Sequence, residues 1–176
     1  MSSQSTRLDE LLKANHIDLE EASEVFYDAL LVGLLDIFVK RIEKSGKELE
    51  LRDKYRKSRD HLLVTRNLVY KVTGTRLDSD SLNDFHEFLM AYLSKSPGRI
   101  APLVERRNEL LAEQDYRCES CKKPITVENA HYDHVVPFKL VGDALKSNAQ
   151  MLCEKCNFEK GASPYFALKK LLISKE

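Results

Sequence analysis

Tryptophan is absent from this chain of 176 residues, and only six glycines, five prolines and four cysteines occur in it. So little glycine and proline excludes a collagen-like or low-complexity chain. Net charge of one sign is also missing: 28 basic residues balance 28 acidic ones. That excludes a uniformly basic nucleic-acid coat or an acidic solvating tail. Long apolar runs are lacking too. The richest stretch, Phe26 to Ile42, is interrupted by Asp28, Asp36, Lys40 and Arg41, whereas a bilayer helix needs ~20 mostly apolar residues. The opening Met1–Arg7 leads into no apolar run, so no secretory signal is expected and the protein is expected to be soluble and cytoplasmic.

What is present suffices for a folded core. The chain is 43% hydrophobic and 32% charged, a balance too apolar for disorder and long enough for one compact domain or two small ones. Charge is sorted along it: residues 1–36 carry two basic and eight acidic residues, and residues 37–76 carry twelve basic and five acidic.

The first hundred residues carry helical periodicity. One helix is expected over residues 6–15. A second starts after Asp18, whose side chain suits an N-cap, and runs to about Lys44 with Gly46 as its stop. Within it Asp28, Val32, Asp36 and Lys40 form a narrow stripe in otherwise apolar sequence, which predicts burial on most sides, in a bundle or at a subunit contact. A third helix is expected over 47–72, a fourth over 81–94, and a linking helix over 102–114. Ser96-Pro97-Gly98 marks the boundary, dividing a helical domain, 1–97, from a second domain, 98–176.

All four cysteines fall in the last third, as Cys118-Glu-Ser-Cys121 and Cys153-Glu-Lys-Cys156. A disulfide scaffold normally brings a signal peptide and more cysteine. A thioredoxin-like site needs one such pair beside a βαβ pattern that is missing. Two C-x-x-C pairs fit a tetrahedral structural zinc site, with disulfides or inert thiols as the alternatives. After the first knuckle come Ile125-Thr-Val127 and then residues 130–136, short, β-branched and aromatic enough for a strand that Pro137 limits. The second knuckle opens into a helical stretch ending near Ile173. Two short strands and a helix pinned by zinc make a ββα arrangement, so the expected fold is α+β and mostly α: an N-terminal helical bundle followed by a small zinc-stapled ββα domain.

Between the knuckles stand His131-Tyr-Asp133-His134-Val-Val-Pro137 and Asn148-Ala-Gln-Met-Leu152, followed by Asn157-Phe-Glu-Lys160-Gly161 after the last cysteine. Phosphodiester hydrolysis needs these residue types. Histidine titrates near neutrality and can take a proton from water. Asp and Asn offer oxygen ligands to a hard divalent cation, and lysine can neutralise a phosphate.

In order and spacing, C-x-x-C, D-H-V-x-P and N-x-x-x-L-C-x-x-C-N-x-x-K-G, residues 116–161 resemble the HNH (His-Asn-His) endonuclease family in its ββα-metal form with zinc knuckles. The resemblance covers about a quarter of the chain. It implies a metal-dependent endonuclease that cuts DNA and leaves 5′-phosphate and 3′-hydroxyl ends. It implies that Asp133 ligates the catalytic cation, that His134 is the general base and that Asn148 braces the loop bearing it. Asn157 takes the last His position as a second cation ligand, Lys160 lies near the phosphate, and Cys118, Cys121, Cys153 and Cys156 hold structural zinc. The family's further ligand position, one turn after Asn157, falls on Gly161. With Asp133 and Asn157 as the side-chain ligands, the pattern favours hydrated Mg²⁺ or Mn²⁺ over a catalytic zinc.

His131 shares a strand face with Asp133 by alternation and is expected in a supporting or structural role, with ligation of the catalytic metal as the alternative. Arg52-Asp-Lys54-Tyr55-Arg56-Lys57-Ser58-Arg59 is either a phosphate-contacting face or a solvated one, and so are Lys122, Lys123, Lys139, Lys169 and Lys170. The N-terminal helices match no pattern that names a function. They suit a homodimer contact, a larger protein partner or DNA positioning, as in a restriction or anti-phage defence assembly. The rival reading is a zinc module that binds nucleic acid or protein without catalysis.

Overall fold

A computed structural model describes residues 3–14, 16–96, 98, 101–145 and 147–173. Helices dominate, and the described strands form one two-stranded sheet. Helix α1 (Ser3–Ala14) matches the first expected helix, whose last residue, Asn15, lies outside the described residues; so does Pro97 at the expected boundary. Helix α2 (Leu19–Ser45) begins where Asp18 accepts hydrogen bonds from the Glu20 and Glu21 amides at 2.9 and 3.1 Å, satisfying donors that have no partner within the helix. It stops at Gly46, which takes the left-handed conformation at φ +66°.

The single helix expected over 47–72 is instead two, α3 (Glu48–Lys57) and α4 (His61–Thr73). Ser58 and Asp60 cause the break. The Ser58 hydroxyl accepts from the Asp60 amide, and the Asp60 carboxylate caps the Leu63 amide at 2.8 Å. Short polar side chains thus supply local partners that compete with the helical ladder. Helix α5 (Ser79–Ser94) starts behind Asp78, and α6 (Val104–Glu113) leads to the knuckles.

Strand β1 (Ala130–Asp133) is shorter than the expected 130–136 because the Val136 amide is taken by the Asn148 side chain and Pro137 has no amide to give. Helix α7 (Phe138–Val141) follows, and β2 (Gln150–Cys153) returns antiparallel, with Ala130 opposite Cys153 and Asp133 opposite Gln150. Ile125–Val127 joins no strand; next to it lies an isolated bridge, Arg117 with Pro124. The long C-terminal helix divides into α8 (Glu154–Lys160) and α9 (Phe166–Ile173), because Gly161 turns left-handed at φ +50° and Pro164 cannot continue a helical ladder.

The main core unites Leu35, Phe38, Leu51, Val69, Phe85 and Leu89 of α2–α5 with Val136, Leu140 and Val141 beside β1. Phe38 and Phe85 meet edge-to-face at 5.9 Å. The core therefore crosses the expected 97/98 boundary. A second core gathers Leu110, Leu111, Ile125, Met151, Leu152 and Phe166 around Cys118 and Cys156. Gln114, at the end of α6, ties the two ends of this core together: its amide donates to the Arg117 and Met151 carbonyls and its oxygen accepts from the Met151 amide.

Helix α2 departs from its expected burial. Asp36, in the expected polar stripe, is buried and paired with Lys40 and Lys139, whereas Leu19, Phe26, Leu30 and Ile37 face out along one line. Among the described residues no helix is long and apolar enough to cross a membrane.

Candidate functional site

The knuckles are two tight turns, one before Lys122, which itself adopts φ +56°, and one at the start of α8. They bring the sulfurs of Cys118, Cys121, Cys153 and Cys156 within 4.8 Å of one another. The four are free thiols, and the 3.8 Å between the Cys121 and Cys153 sulfurs is far beyond the ~2.05 Å of a disulfide. Four sulfurs at ~2.3 Å around a tetrahedral ion stand about 3.8 Å apart, so the set fits a metal ion such as zinc. Burial pushes the Cys118 thiol up, but amides of Cys121, Cys153 and Ser120 outweigh it and bring the group down to about 7. Burial carries Cys156 up to about 12 and also raises Cys121. Crowded sulfurs resist becoming thiolates together unless a cation lies among them.

The second constellation forms where β1 ends. Asp133 is buried, and its Oδ2 accepts from the Gln150 amide at 3.1 Å and lies 2.9 Å from Lys160 Nζ. Lys160, only 5% exposed, comes from the last turn of α8 and also donates to the His134 carbonyl at 2.6 Å. Its ammonium holds the Asp133–His134 corner together from inside. Asn148 braces the other side: its oxygen accepts from the Val136 amide at 2.6 Å and its nitrogen donates to the Val136 carbonyl at 3.0 Å.

His134 follows the strand's last residue and is 3% exposed. Its ring meets Tyr132 and Phe138 edge-on at 5.7 and 5.4 Å. Nε2 lies 2.9 Å from Asp143 Oδ1, and Nδ1 is buried with no hydrogen-bond partner. A cleft of about 120 Å³ opens here, lined by Arg106, Tyr132, His134, Asp143 and Asn148.

Asn157 lies half-buried on α8, one turn before Gly161, and His131 is exposed on β1. Asp133 and Asn157 offer oxygen donors of the kind a hydrated Mg²⁺ or Mn²⁺ takes, with waters and phosphate filling the remaining positions. The surface lysines are less available than the sequence alone suggests. Lys122 pairs with Glu119, Lys139 with Asp36 and Lys170 with Glu159. In the basic run, Arg52 pairs with Glu48, and Arg56 and Lys57 with Asp53. Three residues escaped sequence reasoning: Gln150, Asp143 and Arg106. Gln150 had a signal, since it stands in the motif facing Asp133; Asp143 and Arg106 have no spacing that marks them.

The segment that carries the knuckles, β1, β2 and α8 is also the one that a known family matches. Residues 118–170 match the HNH endonuclease family. The matched segment covers under a third of the chain. A 60-residue stretch, 34% of this chain, is 33% identical to the CRISPR-associated endonuclease Cas9 of Corynebacterium diphtheriae, of which it covers 6%. No solved structure matches the chain.

Proposed function

We propose that the chain is a divalent-cation-dependent endonuclease acting on DNA. The observation that carries this reading is the corner at the end of β1, where Asp133 and His134 are held by Gln150, Lys160 and Asn148 inside the HNH segment. His134 takes a proton from a water molecule as that water's oxygen bonds to phosphorus. The bond from phosphorus to the 3′-oxygen breaks, the oxygen is protonated from solvent, and 5′-phosphate and 3′-hydroxyl ends remain. When bound to Asp133 and Asn157, Mg²⁺ or Mn²⁺ supplies positive charge to the phosphate and the leaving oxygen. Arg106 lines the His134 cleft and is paired with Glu109 and Glu113, so a phosphate contact from it requires giving up those pairs. The four-cysteine site holds structural zinc in this reading. Supercoiled plasmid, incubated with the protein and with or without Mg²⁺ or Mn²⁺, should be cut only when the cation is present.

One observation favours a second reading, a non-catalytic zinc module that binds nucleic acid or protein. Lys160 sits on the Asp133 oxygen that a cation would use. An intact plasmid with either cation would decide for it. The exposed line of Leu19, Phe26, Leu30 and Ile37 supports a protein contact for the helical part, with a second copy or a larger member of a defence assembly. Light scattering of the wild type and of Phe26→Glu should show a larger species only in the former if the partner is a second copy.

A further inference from the structure

The stretch between His134 and Asn148 is anchored in the helical part of the chain. Leu140 and Val141 of α7 are buried in the core built by α2 and α5, and Lys95, just after α5, donates to the Lys139 carbonyl at 2.8 Å. Gly142 then turns at φ +60°, and a Cβ there would come within 2.8 Å of the Lys95 Cβ. The turn is thus clamped against the end of α5, and the next residue, Asp143, is delivered to His134 Nε2 at 2.9 Å.

A neutral imidazole carries one N–H, and an ionised carboxylate can only accept. Asp143 therefore selects the tautomer with the proton on Nε2 and leaves the lone pair on Nδ1, the nitrogen that is buried and without a partner. A buried polar atom with no partner in a site otherwise well satisfied marks a place that a water or substrate group completes. The Tyr132 and Phe138 rings flanking His134 keep the imidazole from turning over.

We propose that Asp143 is a positioning residue that makes Nδ1 the basic atom of His134, and that the helical bundle sets this tautomer through α7 and Gly142. The proposal deepens the nuclease reading and rests on His134 being its base. It also gives the N-terminal helices a part in the chemistry that holds whatever else they contact.

The test is ¹⁵N NMR of the histidine side chains in the full-length, zinc-loaded chain without DNA or divalent cation, alongside plasmid-cleavage kinetics. The wild type should show His134 with the proton on Nε2. Asp143→Ala should mix the two tautomers and lower kcat by about 10²-fold or more, with KM for DNA and zinc content unchanged. Gly142→Ala, which removes no site side chain but pushes the turn away from Lys95, should shift the same two readouts in the same direction. If Asp143→Ala proves unstable, Asp143→Asn keeps the side-chain size while offering an N–H, and should move the proton to Nδ1. An unchanged tautomer in Asp143→Ala, or in Asp143→Asn where that stands in, overturns the proposal. A tautomer change with wild-type kcat overturns it as well. A wild type that holds the Nε2–H tautomer but leaves plasmid uncut under every cation overturns the nuclease reading, and with it the catalytic meaning of Asp143.

Discussion

The ammonium of Lys160 lies 2.9 Å from Asp133, and both side chains are buried, at 4% and 12% exposure. Breaking one partner of such a pair leaves the other charge in the interior without compensation, which costs ~3–5 kcal/mol. Lys160→Met should therefore destabilise the chain by about that much in urea unfolding without divalent cation. If Asp133 binds the catalytic cation, millimolar Mg²⁺ or Mn²⁺ should restore part of the loss, because a cation then replaces the missing ammonium. Equal loss with and without cation would count against Asp133 as a ligand.

If the four cysteines hold a metal as proposed, removing it should collapse the second core, since Cys118 and Cys156 are buried members of it. Cys153→Ser should lose about one equivalent of zinc and unfold the knuckle region, while the α2–α5 packing persists. Elemental analysis of reduced protein gives the stoichiometry, and circular dichroism gives the helix retained. Acidification should release the metal, because protons compete for the same thiolates.

His134→Ala should cost ~10²–10⁴-fold in cleavage rate while keeping the fold, the zinc and DNA affinity. Asp133→Ala should abolish cleavage with the zinc retained. Plasmid assays paired with metal analysis check both, and a His134→Ala protein that cuts at the wild-type rate would refute the mechanism.

The helical bundle should lose stability on acidification through His86. Burial lowers its pKa, and so does the neighbouring His61, whose ring is 6.3 Å away; Tyr55 packs on both rings, and Nδ1 pairs with the Thr65 hydroxyl at 2.7 Å. With the folded pKa below the unfolded ~6.5, the unfolded state binds more protons below that pH. The contribution is therefore full above ~6.5 and is lost as pH falls from there toward the lower folded value. Thermal unfolding from pH 7.5 to 5 should show this slope, and His86→Gln should flatten it.

Local rules were readable where one residue decides. Asp18 and Gly46 bound α2 because capping and left-handed turns depend on the residue at a single position. The knuckles were readable because metal binding demands particular atoms at short spacing, whereas Asp133, His134 and Asn148 were singled out through the resemblance of the whole motif order. The break at Ser58–Asp60 was missed because apolar periodicity continues across it, while the side-chain hydrogen bonds that end α3 carry no periodic signal.

The amino-acid sequence by itself determined the mostly helical class, the caps and the two C-x-x-C knuckles, which follow from neighbours within a few positions, and it named the residues at the end of β1 through the order of motifs from Cys118 to Gly161. Only the tertiary structure decided which face of α2 is covered, that Lys160 turns inward onto Asp133, and that a core shared with α2 and α5 carries Asp143 to His134. Those outcomes depend on which distant surfaces meet. Burial is set by the partner as much as by the residue, and a carboxylate nine positions from a histidine becomes its neighbour only when the intervening turn is packed in place.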